Sequence, residues 1–205
     1  MEGKKKLNQV LSEYMNRNKA AYILMISALI AGICAGSFLT GRLGEDLNAE
    51  LSKYVQSYVA TLSQGILNSS EIFWAGIIQN VKYVLLIYLF GLTVVGLPFI
   101  MALEGLKGFA IGFTAAAAFK FLSGNGVAAT FISMLPGDVI IVPAMIVMGV
   151  NSMNFSLNLI KNYKNKLDHE SIWSLIAHYT LNTFFLFVVI AMGVAYEAYI
   201  APVFI

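Results

Sequence analysis

Residues 133–144, SMLPGDVIIVPA, decide the fold. They set Pro136, Gly137, Asp138 and Pro143 inside a long apolar run, where proline removes a backbone donor and a carboxylate is costly to desolvate. Hydrocarbon offers such groups no partners, so the protein must supply them. The stretch reads as a membrane helix with a structural break at Pro136, Gly137, Asp138 and Pro143, its freed carbonyls and carboxylate turned toward neighbouring helices.

The rest of the 205 residues agrees with that reading. Hydrophobic residues make up 59% and charged residues 12%, well above and below the roughly half and quarter of a soluble domain. The expected fold is all-α, a single polytopic membrane bundle of five transmembrane helices with an amphipathic extracytoplasmic helix. The lone Cys34 excludes an intramolecular disulfide and a cysteine metal cluster, and is read as a small buried thiol.

Residues 1–19 carry Lys4, Lys5, Lys6, Arg17 and Lys19 among Leu7, Val10, Leu11 and Tyr14. This is either a basic amphipathic segment on the membrane surface or a solvated tail that sets topology. Residues 20–40 form an uncharged span too long for the apolar part of a signal peptide. In residues 41–78, Leu47, Leu51, Tyr54, Tyr58 and Leu62 recur at helical spacing between polar residues. That amphipathic helix either lies on the outer leaflet or offers its apolar stripe to a partner. Asn68 and Asn154 begin short glycosylation sequons, a weak signal.

Further spans are expected over 79–103, 106–122, 127–150 and 172–196. The tight turn between the second and third falls at Glu104–Lys107, a solvated charge pair three residues apart. Gly105, Gly108 and Gly112 form a small-residue strip for close helix packing. Gly32-x3-Gly36 and Gly108-x3-Gly112 serve either internal packing or self-association, so a homo-oligomer is possible.

Basic residues set the orientation. With the N-terminus inside, nine lie in inner segments, Lys107 among them, and Arg42, Lys53, Lys82 and Lys120 lie outside. The N-terminus is expected in the cytoplasm and the C-terminus, with the 41–78 region, outside.

No nucleotide-binding loop, zinc-protease helix or serine elbow is present in the sequence. No enzyme activity, cofactor, metal or nucleic-acid partner is expected; membrane lipid is. Asp138 reads either as a proton or cation site, as a salt-bridge partner of Lys82 or Lys120, or as a cap on the broken helix. An intramembrane enzyme would need Asp138 and His178 to converge, although they fall at different depths.

Residues 91–112, GLTVVGLPFIMALEGLKGFAIG, and 133–147, SMLPGDVIIVPAMIV, followed by Ser156-Leu157-Asn158-Leu159-Ile160, resemble the stage II sporulation protein M family. In the wider family the second motif often reads Pro-His-Gly, with a Glu two residues before the second proline. Here Gly137 and Asp138 take the His-Gly positions and Ile141 replaces the Glu. The resemblance implies a multi-pass scaffold on the mother-cell side of the sporulation septum. Its implied partners are peptidoglycan-degrading enzymes of the engulfment complex, a lytic transglycosylase and an amidase or endopeptidase, held there for septal thinning. Leu47, Leu51, Tyr54, Tyr58 and Leu62 are the candidate docking face. The competing reading is a transporter subunit or small channel using the broken fourth span around Asp138.

Overall fold

The computed structural model describes residues 18–63, 68–93, 96–122, 124–164 and 169–201. Among the described residues the chain is helical, with no strand. Its helices are α1 (Lys19–Gly41), α2 (Glu45–Ser63), α3 (Ser69–Gly91), α4 (Gly96–Phe121), α5 (Gly124–Lys164) and α6 (His169–Ala195), the last continuing as a π-helical turn, Tyr196–Ile200. Among the described residues five helical stretches are long and apolar enough to cross a membrane: α1, α3, α4, Pro136–Ile160 of α5 and Ile172–Ile200. The basic segment before Asn18 lies outside the described residues.

The spans differ from the sequence reading at the second and third crossings. Residues 92–95 separate α3 from α4, so Glu104 and Lys107 stand within a span and not in a turn. The signal for the true turn is Gly91, Gly96 and Pro98 together. Gly96 packs against the Phe90 carbonyl, a closeness no Cβ allows. Pro98 falls in the first turn of α4, where its missing N–H would have had no helical partner anyway.

The expected break in the fourth span is absent as well. α5 runs unbroken through Pro136, Gly137, Asp138 and Pro143 for 41 residues, a length of about 60 Å, twice the hydrocarbon core. Each proline deletes one donor and crowds one carbonyl, and the turns on either side keep their own bonds, a substitution that membrane helices tolerate. Asp138 is therefore a mid-helix residue and caps nothing.

The bundle is built on its first and third spans. Among the described residues α1 and α4 make the most extensive helix contact, running parallel with Gly32 over Gly105, Gly36 over Phe109 and Thr40 over Phe113. A Cβ on Gly32 or Gly36 would collide with the carbonyls of Gly105 or Phe109. One on Gly108 or Gly112 would collide with those of Leu29 or Ile33. Gly105 itself is looser, its Cβ position 3.5 Å from the Ala28 carbonyl oxygen. Backbone on backbone is how helices gain contact in lipid, where the hydrophobic effect does not drive them together. These glycines pack within one chain.

Cys34 lies on another side of α1 and is exposed, not buried. Glycine has claimed the packed face, so the thiol points outward. Around the pair, α3, α5 and α6 close a core that includes Met25, Ile87, Ile100, Met145, Met148 and Ile190, all fully buried. One end of the bundle gathers the start of α1, the end of α3 and the start of α6. The other gathers Gly41, α2 and the Tyr196–Ile200 turn.

Candidate functional site

Charged side chains cluster within the spans, and α4 supplies two of them. Lys107 Nζ stands 3.6 Å from Asp138 Oδ1, with the side chains 14% and 16% exposed. The partner of Asp138 is thus neither Lys82 nor Lys120. Glu197 joins from the terminal π-helical turn, touching Gly137 and lying within electrostatic reach of both Asp138 and Lys107. Gly137 is what lets it approach, since a Cβ there would overlap the Glu197 carboxyl. One cation and two carboxylates therefore meet where α4, α5 and the final turn converge.

Glu104, one helical turn before Lys107, is different. It is fully buried, and neither carboxylate oxygen has a hydrogen-bond partner. Gly149 of α5 and Met25 of α1 close over it: the Cβ position of Gly149 lies 3.2 Å from Glu104 Oε1 and 3.1 Å from Met25 Sδ. Gly149 falls midway along the apolar stretch Pro136–Ile160, which sets Glu104 near mid-membrane. Reading Glu104 as a solvated turn residue hid it from sequence reasoning.

Toward the Asn18 end, hydroxyls and rings tie α3, α5 and α6. Tyr179 and Ser152 share a hydrogen bond of 2.8 Å, and the Tyr179 hydroxyl donates to the Tyr88 carbonyl at 3.2 Å. Tyr179 stacks on both Phe155 and Tyr88, with centroids 4.3 and 5.1 Å away, and Gly91 leaves room for its hydroxyl. Ser156 donates to the Thr93 carbonyl at 2.8 Å, fixing the turn between α3 and α4. His178 opens onto a cleft of about 690 Å³ bordered by Asn18, Asn151, Asn154, Asn158 and Asn182. Nineteen residues of helix, about 28 Å at 1.5 Å per residue, separate it from Glu197 and the Asp138 cluster, so His178 and Asp138 do not converge.

At the opposite end α2 projects beyond the spans and is moored by one lysine. Lys120 Nζ donates to the Thr40 carbonyl at 2.8 Å and to Asn48 Oδ1 at 2.7 Å. Leu47 and Tyr54, seven residues apart on one face, are 58% and 69% exposed, whereas Leu51 is half-buried. The side chains of Tyr58 and Leu62 lie outside the described residues.

The stage II sporulation protein M family profile matches residues 21–202. The chain belongs to that family. No curated protein and no solved structure matches it. Family membership makes this a sporulation-related membrane protein, and the match runs from the first span through the last. Ile141 is fully buried against Gly193. The α5 carboxylate stands one turn earlier, at Asp138.

Proposed function

We propose that the chain is a membrane scaffold of the sporulation septum that recruits and holds peptidoglycan-degrading enzymes, a lytic transglycosylase and an amidase or endopeptidase, during septal thinning and engulfment. The observation that carries this reading is α2, an amphipathic helix outside the spans that presents Leu47 and Tyr54 while Lys120 moors it to α1. Apolar side chains on a moored helix suit a docking face. Family membership supplies the sporulation setting.

The distribution of basic residues supports an outer side for α2. With the spans at their structural limits, eight basic residues fall before or at the start of α1 or between the spans Pro136–Ile160 and Ile172–Ile200, the ends and loop assigned to the cytoplasm. Three, Arg42, Lys53 and Lys120, fall at the opposite end, and Lys82 and Lys107 lie within spans. The assignment of α2 and the C-terminus to the wall side rests on that asymmetry. In a Cys34→Ser background, Lys53→Cys should react with an impermeant maleimide on intact cells and Lys164→Cys should not; the reverse pattern refutes the orientation.

Docking is tested by crosslinking pull-down from sporulating cells. Leu47→Asp with Tyr54→Asp should lose the wall hydrolases while membrane levels stay unchanged. Undiminished recovery of both enzymes defeats the scaffold reading. A transport subunit is the second reading, favoured by the charged cluster of Lys107, Asp138 and Glu197 inside the bundle. It requires solute flux through liposomes and a co-purifying ATPase.

A further inference from the structure

We infer that Glu104 is an intramembrane proton-binding site. The inference does not rest on the scaffold reading. An ionised carboxylate at this depth is costly unless it is hydrogen-bonded or paired. Glu104 is neither, for it is fully buried and both oxygens lack a partner. Lys107, the obvious candidate one turn along, is engaged by Asp138.

Lys107 attracts the Glu104 carboxylate but forms its ion pair with Asp138, and no donor reaches either Glu104 oxygen. α1 faces Glu104 with Met25 and α5 with Gly149, neither of which donates to it. Of the charged residues on the packed elements, α1 contributes Lys19 at its first residue, and α3 contributes Glu71 and Lys82, all three exposed. On α4 and α5 the nearby groups are Lys107 and Asp138, and Glu197 faces both from the terminal turn. Counting formal charges, Lys107 neutralises one of the three carboxylates Glu104, Asp138 and Glu197. A bound proton at Glu104 removes one of the two charges that remain. Gly149 makes the room: a side chain there would crowd Glu104 Oε1.

Dicyclohexylcarbodiimide tests this, because it adds to a protonated carboxyl in apolar surroundings to give a stable N-acylurea, with no other reactant consumed. The full-length protein in liposomes, free of sodium and potassium, should acquire the adduct on the peptide containing Glu104, with the yield rising as pH falls. Glu104→Gln should lose that adduct and keep its fold; the site is mapped by mass spectrometry on the unsubstituted chain, so the conclusion does not depend on the variant's folding. Labelling should be indifferent to added sodium or potassium at fixed pH; protection by either overturns the inference. No adduct on Glu104 at any pH overturns the inference, whichever other carboxyl is labelled.

Discussion

Lys107 of α4 pairs across the bundle with Asp138 of α5, at 3.6 Å, and leaves Glu104, its neighbour one turn away, unpaired. The pair joins two helices at a point where Asp138 also faces Glu197. Removing the cation alone leaves two carboxylates side by side with nothing to balance them. Lys107→Met is expected to destabilise the bundle by about 3 kcal/mol, the low end for breaking a buried pair. Adding Asp138→Asn should recover part of the loss. Thermal aggregation of the detergent-solubilised double-mutant cycle is the measurement, and strictly additive losses would show that the pair is not coupled.

The α1–α4 seam predicts a steep dependence on glycine. Gly108→Leu or Gly112→Leu drives a side chain into a backbone carbonyl of α1, which cannot retreat without separating the helices. Overpacking of this kind costs about 1–3 kcal/mol, and the midpoint of thermal aggregation should fall accordingly. Gly41→Ala and Gly44→Ala, with nothing within 4 Å of the added carbon, should leave it unchanged.

Tyr179→Phe keeps the stack on Phe155 and Tyr88 but removes the hydroxyl shared with Ser152. The Ser152 hydroxyl is then left fully buried without that partner. A loss of about 1 kcal/mol is expected, within the range for hydrogen bonds between membrane helices. Ser152→Ala in the same chain should relieve much of it, since no orphaned hydroxyl remains.

Lys120→Met should loosen α2 and spare the bundle. Its two hydrogen bonds go to the last turn of α1 and to Asn48 near the start of α2. Hydrogen exchange across residues 45–63 should quicken severalfold, as expected for about 1 kcal/mol, while exchange in α1 and α4 is unaltered.

Much of the architecture could be read from residue patterns alone. Five long, predominantly apolar stretches and a polar, amphipathic interval after the first were enough to give the all-helical membrane class and an amphipathic helix between the first two spans. The turn between α3 and α4 was hidden because residues 92–95 are themselves mostly apolar, whereas Glu104 and Lys107 look like loop residues. Hydropathy equates charge with exposure; here packing against Gly149 and pairing with Asp138 overrule it. The same rule moved the expected start of the second span to residue 79, since Ser69, Ser70 and Glu71 make the first turn of α3 polar. Asn80 is nonetheless buried, donating to the Gly76 carbonyl at 2.9 Å. Pro136 and Pro143 misled in the opposite direction, because a missing donor says nothing about whether the neighbouring turns hold. The meeting of Asp138 with Glu197 depends on two helices more than fifty residues apart, which no local pattern encodes.

The parallel pairing of α1 with α4 also imposes an order on biogenesis. Contacts along the seam join residues 73 positions apart, as Thr40 and Phe113 do. At roughly 5–20 residues per second, α1 leaves the ribosome several seconds before its partner has been synthesised. During that interval its glycine groove faces lipid or the insertion machinery, and any passing helix with a smooth face competes for it. Only when α4 arrives, past the intervening α2 and α3, does the first span gain its lasting neighbour. A nascent chain arrested before α4 should therefore be the form most readily captured by an insertase and most readily degraded.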